Sequence, residues 1–507
     1  MIKKGLLLVT LLVSQCFVFG QKKYSELSQE DYLEDFDILI NIVKNQHPNP
    51  YRVISEKDFD KKVASIRKNL EEHPSYATFL LSNPIPYIHD AHSSLSTDTT
   101  IFEDFTKETH FFPLSTLVFN SKVFVNQHNP YIPPGSIIKS VNGIEASKIL
   151  SRINVSSDGE IKADDAKDFT FYISLMFPDA KEYVIAYQEG LESEEIKEVT
   201  INTVSYFRNF YNVQKSILPL DLITYSYGIY GREVNEDTYI LTIKTFAFSE
   251  EFAYQKLSAF FEKLNQKGIK NLIIDIRSNG GGLLSNIPLF YSFISKDKVF
   301  KNSYRYATKV VDIKVRENLI DGSGRQYSDL DIKNMNNFML QRYDKSEDDE
   351  YYYGNNRLDE SYVENYPRDR NVFEGNTILL IDNNTVSAAA YFAALFKENK
   401  RGVVIGQETR TCSNFTTASW FINYKLPNTQ TIVDLPRSEV FFNNSASKSG
   451  ACRGVIPDYV VDETMFHAGL VEEKDPELTM ALDLIKRQIG LNVAELSKKV
   501  TGKKQKK

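Results

Sequence analysis

At 507 residues, 42% hydrophobic and 25% charged, the chain has the composition of an ordinary folded protein and the length for two to four domains, which excludes disorder as its theme. A formal charge of −7 and a pI near 5.7 leave no basic field for nucleic acid. The one concentration of positive charge, "SKKVTGKKQKK" at the carboxyl end, has no aromatic or glycine company and reads as a solvated tail.

The chain opens on "MIKKGLLLVTLLVSQCFVFGQKK", a lysine pair, an apolar run and permissive residues at Val18 and Gly20. That pattern predicts a secretory signal over residues 1–20, cleaved after Gly20, and an exported protein, periplasmic or secreted. A lipoprotein cleaved before Cys16 is the alternative, opposed by the bulky Gln15. Loss of the signal leaves Cys412 and Cys452, an even pair in a compartment that permits disulfides, with two buried thiols as the other reading. Neither has a CxxC partner or a histidine at ligand spacing, so no metal and no cofactor is expected.

A helical unit is predicted over residues 21–107. "QEDYLEDFDILINIVKNQHP" places Leu33, Phe36, Leu39, Ile40 and Val43 on one helix face, and "EKDFDKKVASIRKNLEEHP" predicts a second helix ended by Pro74. Over residues 108–206 the period changes to two. "TLVFNSKVFVNQHN" alternates like a hairpin, and "IPPGSIIKSVNGIEASKILSRI" predicts a strand Ile137 to Val141, an Asn142-Gly143 turn and a helix. That order resembles a PDZ module, whose groove would hold an extended peptide, although any small β-sandwich with such a turn also fits.

The core is predicted over residues 207–465. "TYILTIKTFAF", "EFAYQKLSAFFEKLNQKG", "NLIIDIRSNGGG", "NTILLIDN", "VSAAAYFAALFKENK" and "RGVVIGQET" alternate strand and helix, which predicts a largely parallel, covered sheet. A polar, tyrosine-rich insert at about 300–370 interrupts it and reads as a surface excursion, and residues 466–507 as a terminal helix and tail. The fold class is therefore α/β multidomain: a helical unit, a β-rich module and a β-α-β core.

Three places could carry chemistry. The glycines of "DIRSNGGG" lack the lysine, serine or GxGxxG spacing of a phosphate loop, leaving either a plain tight turn or bare amides facing an anion. Ser387 stands where the strand "NTILLIDN" gives way to an alanine-rich helix. There it either caps the helix, as Thr385 also could, or exposes a hydroxyl beside the unbonded Ala388 amide, as a nucleophile with an oxyanion donor. A hydroxyl needs a base, and among seven histidines His92, in "IHDAHSSLS", has the most suggestive setting, although a surface histidine is the plain reading.

In this order, "YILTIKTFAF", "NLIIDIRSNGGG", "NNTVSAAAYFAALFKENKRGVVIGQETR" and "GVIPDYVVD" resemble the blocks of the C-terminal processing (tail-specific) protease family. "IHDAHSSL" is similar to the histidine region of its tricorn-like branch. The resemblance implies a ClpP/crotonase-like core, Ser387 as nucleophile, and an oxyanion hole from Ala388 and Gly281, with Gly280 adjacent. Processing proteases use a lysine where this chain has Cys412, so the resemblance implies His92 as the base instead. Ala91 and Ala451 stand where the tricorn branch has a serine and a glutamate. The residue orienting His92 is left unassigned, Asp90 and Glu439 being the carboxylates considered, and a Cys412–Cys452 bridge would tie two active-site loops together. The implied function is an exported serine peptidase acting on a peptide or protein. The alternative is a non-catalytic peptide- or lipid-binding protein on the same scaffold.

Overall fold

The computed structural model describes residues 23–88, 90–153, 166–218, 228–358, 362–442 and 452–487. The expected signal with Cys16, the lysine-rich tail and Ala451 lie outside the described residues. Among the described residues, no helix is long and apolar enough to cross a membrane.

Five strands form the central sheet, in spatial order Val403–Gly406, Asn376–Ile381, Asn271–Asp275, Thr238–Ile243 and Ile229–Asn235. The first four run parallel and the last closes the edge antiparallel. Successive side chains point to opposite faces, so a parallel strand covered on both sides must be apolar almost throughout. That is why Thr377 to Ile381 are all buried. On one face lie the helix Glu250–Lys267, through Ala253, Leu257, Phe261 and Leu264, and the helix Ala388–Glu398. The latter is buried from Ala388 to Phe396, as a helix apolar all round must be. On the other face Ala481 and Leu484 of the helix Pro476–Arg487 pack on Ile240, Ile273, Ile378 and Ile405.

At the amino end the helices Gln29–Gln46 and Glu56–Glu72 form as expected. Ser28 and Ser55 cap them, each hydroxyl accepting a first-turn N–H, and Phe36, Leu39, Ile42 and Val43 are buried. Their core is shared with the rest of the chain. It includes Val315, Leu319 and Ile332 from the insert and Ile422, Tyr424, Val433 and Leu435 from beyond the serine. The strand Ser94–Ser96 pairs with Ile432–Leu435, and buried Asp35 accepts hydrogen bonds from Asn428 and Thr429. This sharing carries the segment around His92 to the far end of the core.

The β-rich unit is one sheet in the order Thr116–Phe119, Lys122–Val125, Ile137–Val141, Glu182–Gln188, Ile196–Asn202. Asn142 (φ 49°) and Gly143 (φ 76°) make the expected tight turn ahead of the helix Ala146–Ile153.

The insert departs from expectation. It is no surface excursion: the strand Tyr304–Thr308 pairs with Ser438–Phe442, and Tyr304, Tyr306, Val311, Met339 and Tyr343 join the main core. Tyrosines let a polar-looking segment bury ring area while each hydroxyl finds a partner, as Tyr343 does at Ser438.

Candidate active site

The glycine turn leaves the strand Asn271–Asp275 and is braced by the buried Asn279. Asn279 Nδ2 donates to the Ile243 carbonyl (2.8 Å), its Oδ1 accepts from the Gly281 amide (2.8 Å), and its carbonyl accepts from the Val386 amide (2.9 Å). One residue, through side chain and backbone together, thus ties the turn to the approach of Ser387. Gly281, at φ +97°, lies so close that a β-carbon there would stand 2.6 Å from Ser387 Cβ. Of the two glycine amides expected near an oxyanion, that of Gly281 is engaged by Asn279 and that of Gly280 makes no hydrogen bond among the described residues.

Ser387 does not cap its helix. Its φ of 59° and ψ of −128° lie outside helical and extended space, and its side chain accepts no N–H from the first turn. Two threonines fix this geometry. Thr385 Oγ1 bridges the Ile276 carbonyl and Asp382, and Thr411 Oγ1 accepts the Ser387 N–H at 2.8 Å. The Ala388 N–H, first of the helix, has no intrahelical partner, as helix geometry requires, and none elsewhere among the described residues.

His92 sits in the turn before the strand Ser94–Ser96, its ring 6.3 Å from that of Phe421. Its Nδ1 is 3.2 Å from Thr416 Oγ1. That hydroxyl also lies 3.1 Å from the Thr417 carbonyl, and when it donates there it accepts from the ring. We assign the proton to Nδ1 on this basis, which leaves the lone pair on Nε2, an atom without a hydrogen bond among the described residues. Burial holds the His92 pKa below the ordinary histidine value, against the opposing charge of Asp90.

Asp90 organises this turn. Burial alone would raise its pKa, but the hydrogen bond and charge of His47, then His92 and Ser93, outweigh it and hold the carboxyl well below the usual range. It accepts from the His92 amide (2.8 Å), Ser93 Oγ, Thr417 Oγ1 and His47 Nε2 (2.9 Å). His47 Nδ1 accepts from the Asn49 N–H, which puts its proton on Nε2, facing Asp90. Glu439, also fully buried, pairs with Arg52 and sits opposite Thr417 in the sheet. Neither carboxylate bonds to the His92 ring; Thr416 does.

The structure brings Ser387 and His92 to the two ends of one short segment, Thr411 to Thr416, without a hydrogen bond between them. That segment, Asp90, Ala91, Arg410 and Glu439 converge on a void of about 20 Å³. Cys412 lies within the segment and is bonded to Cys452. Sequence reasoning missed Thr411, Thr416 and His47, none of which lies in a motif that marks its role.

Residues 237–461, less than half of the chain, match the model of peptidase family S41, which makes this core peptidase-like. Among solved structures, a point mutant of CPAF is similar at 13% identity, covering 92% of this chain and 98% of that one, with a TM-score of 0.60. The photosystem II D1 C-terminal processing protease matches at 12% identity over 89% of this chain and 99% of its own, with a TM-score of 0.37. Tricorn protease matches at 13% identity over 91% of this chain and 37% of its own, with a TM-score of 0.35. Identities this low make the CPAF likeness one of fold. Comparison with curated proteins gave no match.

Proposed function

We propose that the chain is an exported serine peptidase, with Ser387 as nucleophile, His92 as general base, and the Ala388 and Gly280 amides as oxyanion donors. The observation that carries this reading is the proton arrangement at His92. A half-buried imidazole whose Nδ1–H is held by Thr416, with Nε2 bare among the described residues, is ready to accept a proton. Support comes from the uncapped serine beside an unbonded helix amide. In this mechanism His92 Nε2 takes the Ser387 proton as Oγ adds to the scissile carbonyl. The two amides hold the negative oxygen, and the imidazolium then gives its proton to the leaving amine. Asp90, kept ionised, holds the His92 backbone and favours the imidazolium once formed.

Hydrogen bonds of this kind are often long without substrate, and closure of the Ser387 to His92 gap is assigned to the bound state. Gly281 is assigned a spatial role, since only a residue without a side chain fits against Ser387. The β-rich unit is assigned the presentation of an extended peptide by strand addition.

A fluorophosphonate probe tests the proposal. Wild type should label, Ser387→Ala should not, and His92→Gln should label on the order of 100-fold more slowly. Absence of labelling in folded wild type would leave the scaffold as a binding protein.

A further inference from the structure

A second cavity, of about 820 Å³, opens between the insert helix Asp329–Arg342 and the segment Trp420 to Ile422. The helix offers it one face, including Met335, Phe338 and Arg342, with Arg357 and Arg437 completing the wall. Among the described residues none that lines it is acidic, although the chain has 67 acidic residues and a net charge of −7. Arg342 stacks on Phe338, 4.0 Å from the ring centroid, and among the described residues neither it nor Arg357 has a carboxylate partner. Arg437 is buried, its guanidinium donating to the Met335 and Val311 carbonyls, and its Nε has no acceptor among the described residues.

The apolar part is equally particular. Ser419 (φ 70°) and Trp420 (φ 53°) are consecutive non-glycine residues in left-handed conformation. The turn leaves the Trp420 ring 5.6 Å from Phe338 and 5.3 Å from Tyr306, and leaves Phe421 half exposed. The Phe421 ring lies 6.3 Å from that of His92, so one wall of the cavity adjoins the candidate base. Unpaired guanidinium groups recognise carboxylates in a fixed fork geometry, and aromatic faces take apolar side chains.

We propose that this cavity is a specificity subsite for an acidic peptide segment, its carboxylates meeting Arg342 and Arg357 and an apolar side chain lying on Phe338, Trp420 and Phe421. The proposal rests on the peptidase reading in naming this segment as part of the substrate. Its recognition chemistry can be tested without turnover, because Trp420 is the only tryptophan of the chain.

The experiment titrates the fluorescence of the Ser387→Ala protein with a blocked peptide of alternating glutamate and phenylalanine, and with its lysine–phenylalanine counterpart. The acidic peptide should give a saturable change that binds at least tenfold more tightly than the lysine peptide and weakens with salt. Arg342→Glu with Arg357→Glu should abolish that preference, and Arg342→Lys with Arg357→Lys should retain much of it, which separates charge from misfolding. Equal binding of the two peptides, no fluorescence response, or a preference unchanged in the Glu variant would overturn the subsite. Fluorophosphonate labelling of wild type, run alongside, reads the peptidase proposal separately.

Discussion

Ser387 is held in backbone space that a residue with a β-carbon enters at a cost of about 1–3 kcal/mol. Ser387→Gly should therefore raise the melting temperature where Ser387→Ala does not, and both should abolish labelling. For His92, burial lowers the pKa, so the neutral form needed for catalysis persists as pH falls below 6.5. The acid limb of kcat/KM should accordingly lie below 6.5, and a limb above it would remove His92 as the base. Thr416→Val deletes the acceptor that fixes the tautomer and should cut kcat about 100-fold with little change in KM. Asp90 has a depressed folded pKa, so its contribution is present above its unfolded value and is lost as pH falls below it. Asp90→Asn should cost on the order of 3 kcal/mol in denaturant melts at pH 7, and less in acid. Ser387 and His92 stand out in sequence because a strand-to-helix switch and a polar turn mark them. Thr416 does not, because nothing local marks a threonine as the partner of an imidazole 324 positions away.

Among elements, the segment Thr411 to Thr416 carries most of the site's geometry, and the Cys412–Cys452 bridge restrains it. Closing a separation of 40 residues constrains the unfolded chain by about 4 kcal/mol in the loop-entropy account. Reduction should lower both the melting temperature and the labelling rate, and alkylation without reductant should leave Cys412 and Cys452 unmodified. The glycine turn is the second element. Gly281→Ala meets both a positive φ and Ser387 Cβ, and should destabilise by about 2–4 kcal/mol while stopping labelling. Strands and helices of the central sheet were legible because parallel strands are unbroken apolar runs. The insert was not, because its tyrosines conceal core positions in a polar composition.

Across the molecule, the terminal helix Pro476–Arg487 docks near the glycine turn through charge. Partly buried Arg277 pairs with Asp275, Asp475 and Glu477. Burial pushes the Glu477 carboxyl up to about 7, Arg277 opposing and Asp475 adding to the rise. A raised carboxyl contributes stability that is full below its unfolded value near 4.5 and is lost as pH rises through about 7. Glu477→Gln should thus gain on the order of 1 kcal/mol over wild type at pH 8 and almost nothing at pH 5. The amino helices were legible one by one, since capping serines and apolar spacing are local. Their dependence on Ile422 to Leu435 was not, since no periodicity records which distant strand completes a core.

That dependence orders events during synthesis. A ribosome releasing the first hundred residues releases helices without the strands that cover them, and the long-range pairing they await makes this step slow. Whatever reaction Ser387 performs cannot begin on a half-made polypeptide, because the turn bearing His92 is anchored by residues that emerge only after the serine.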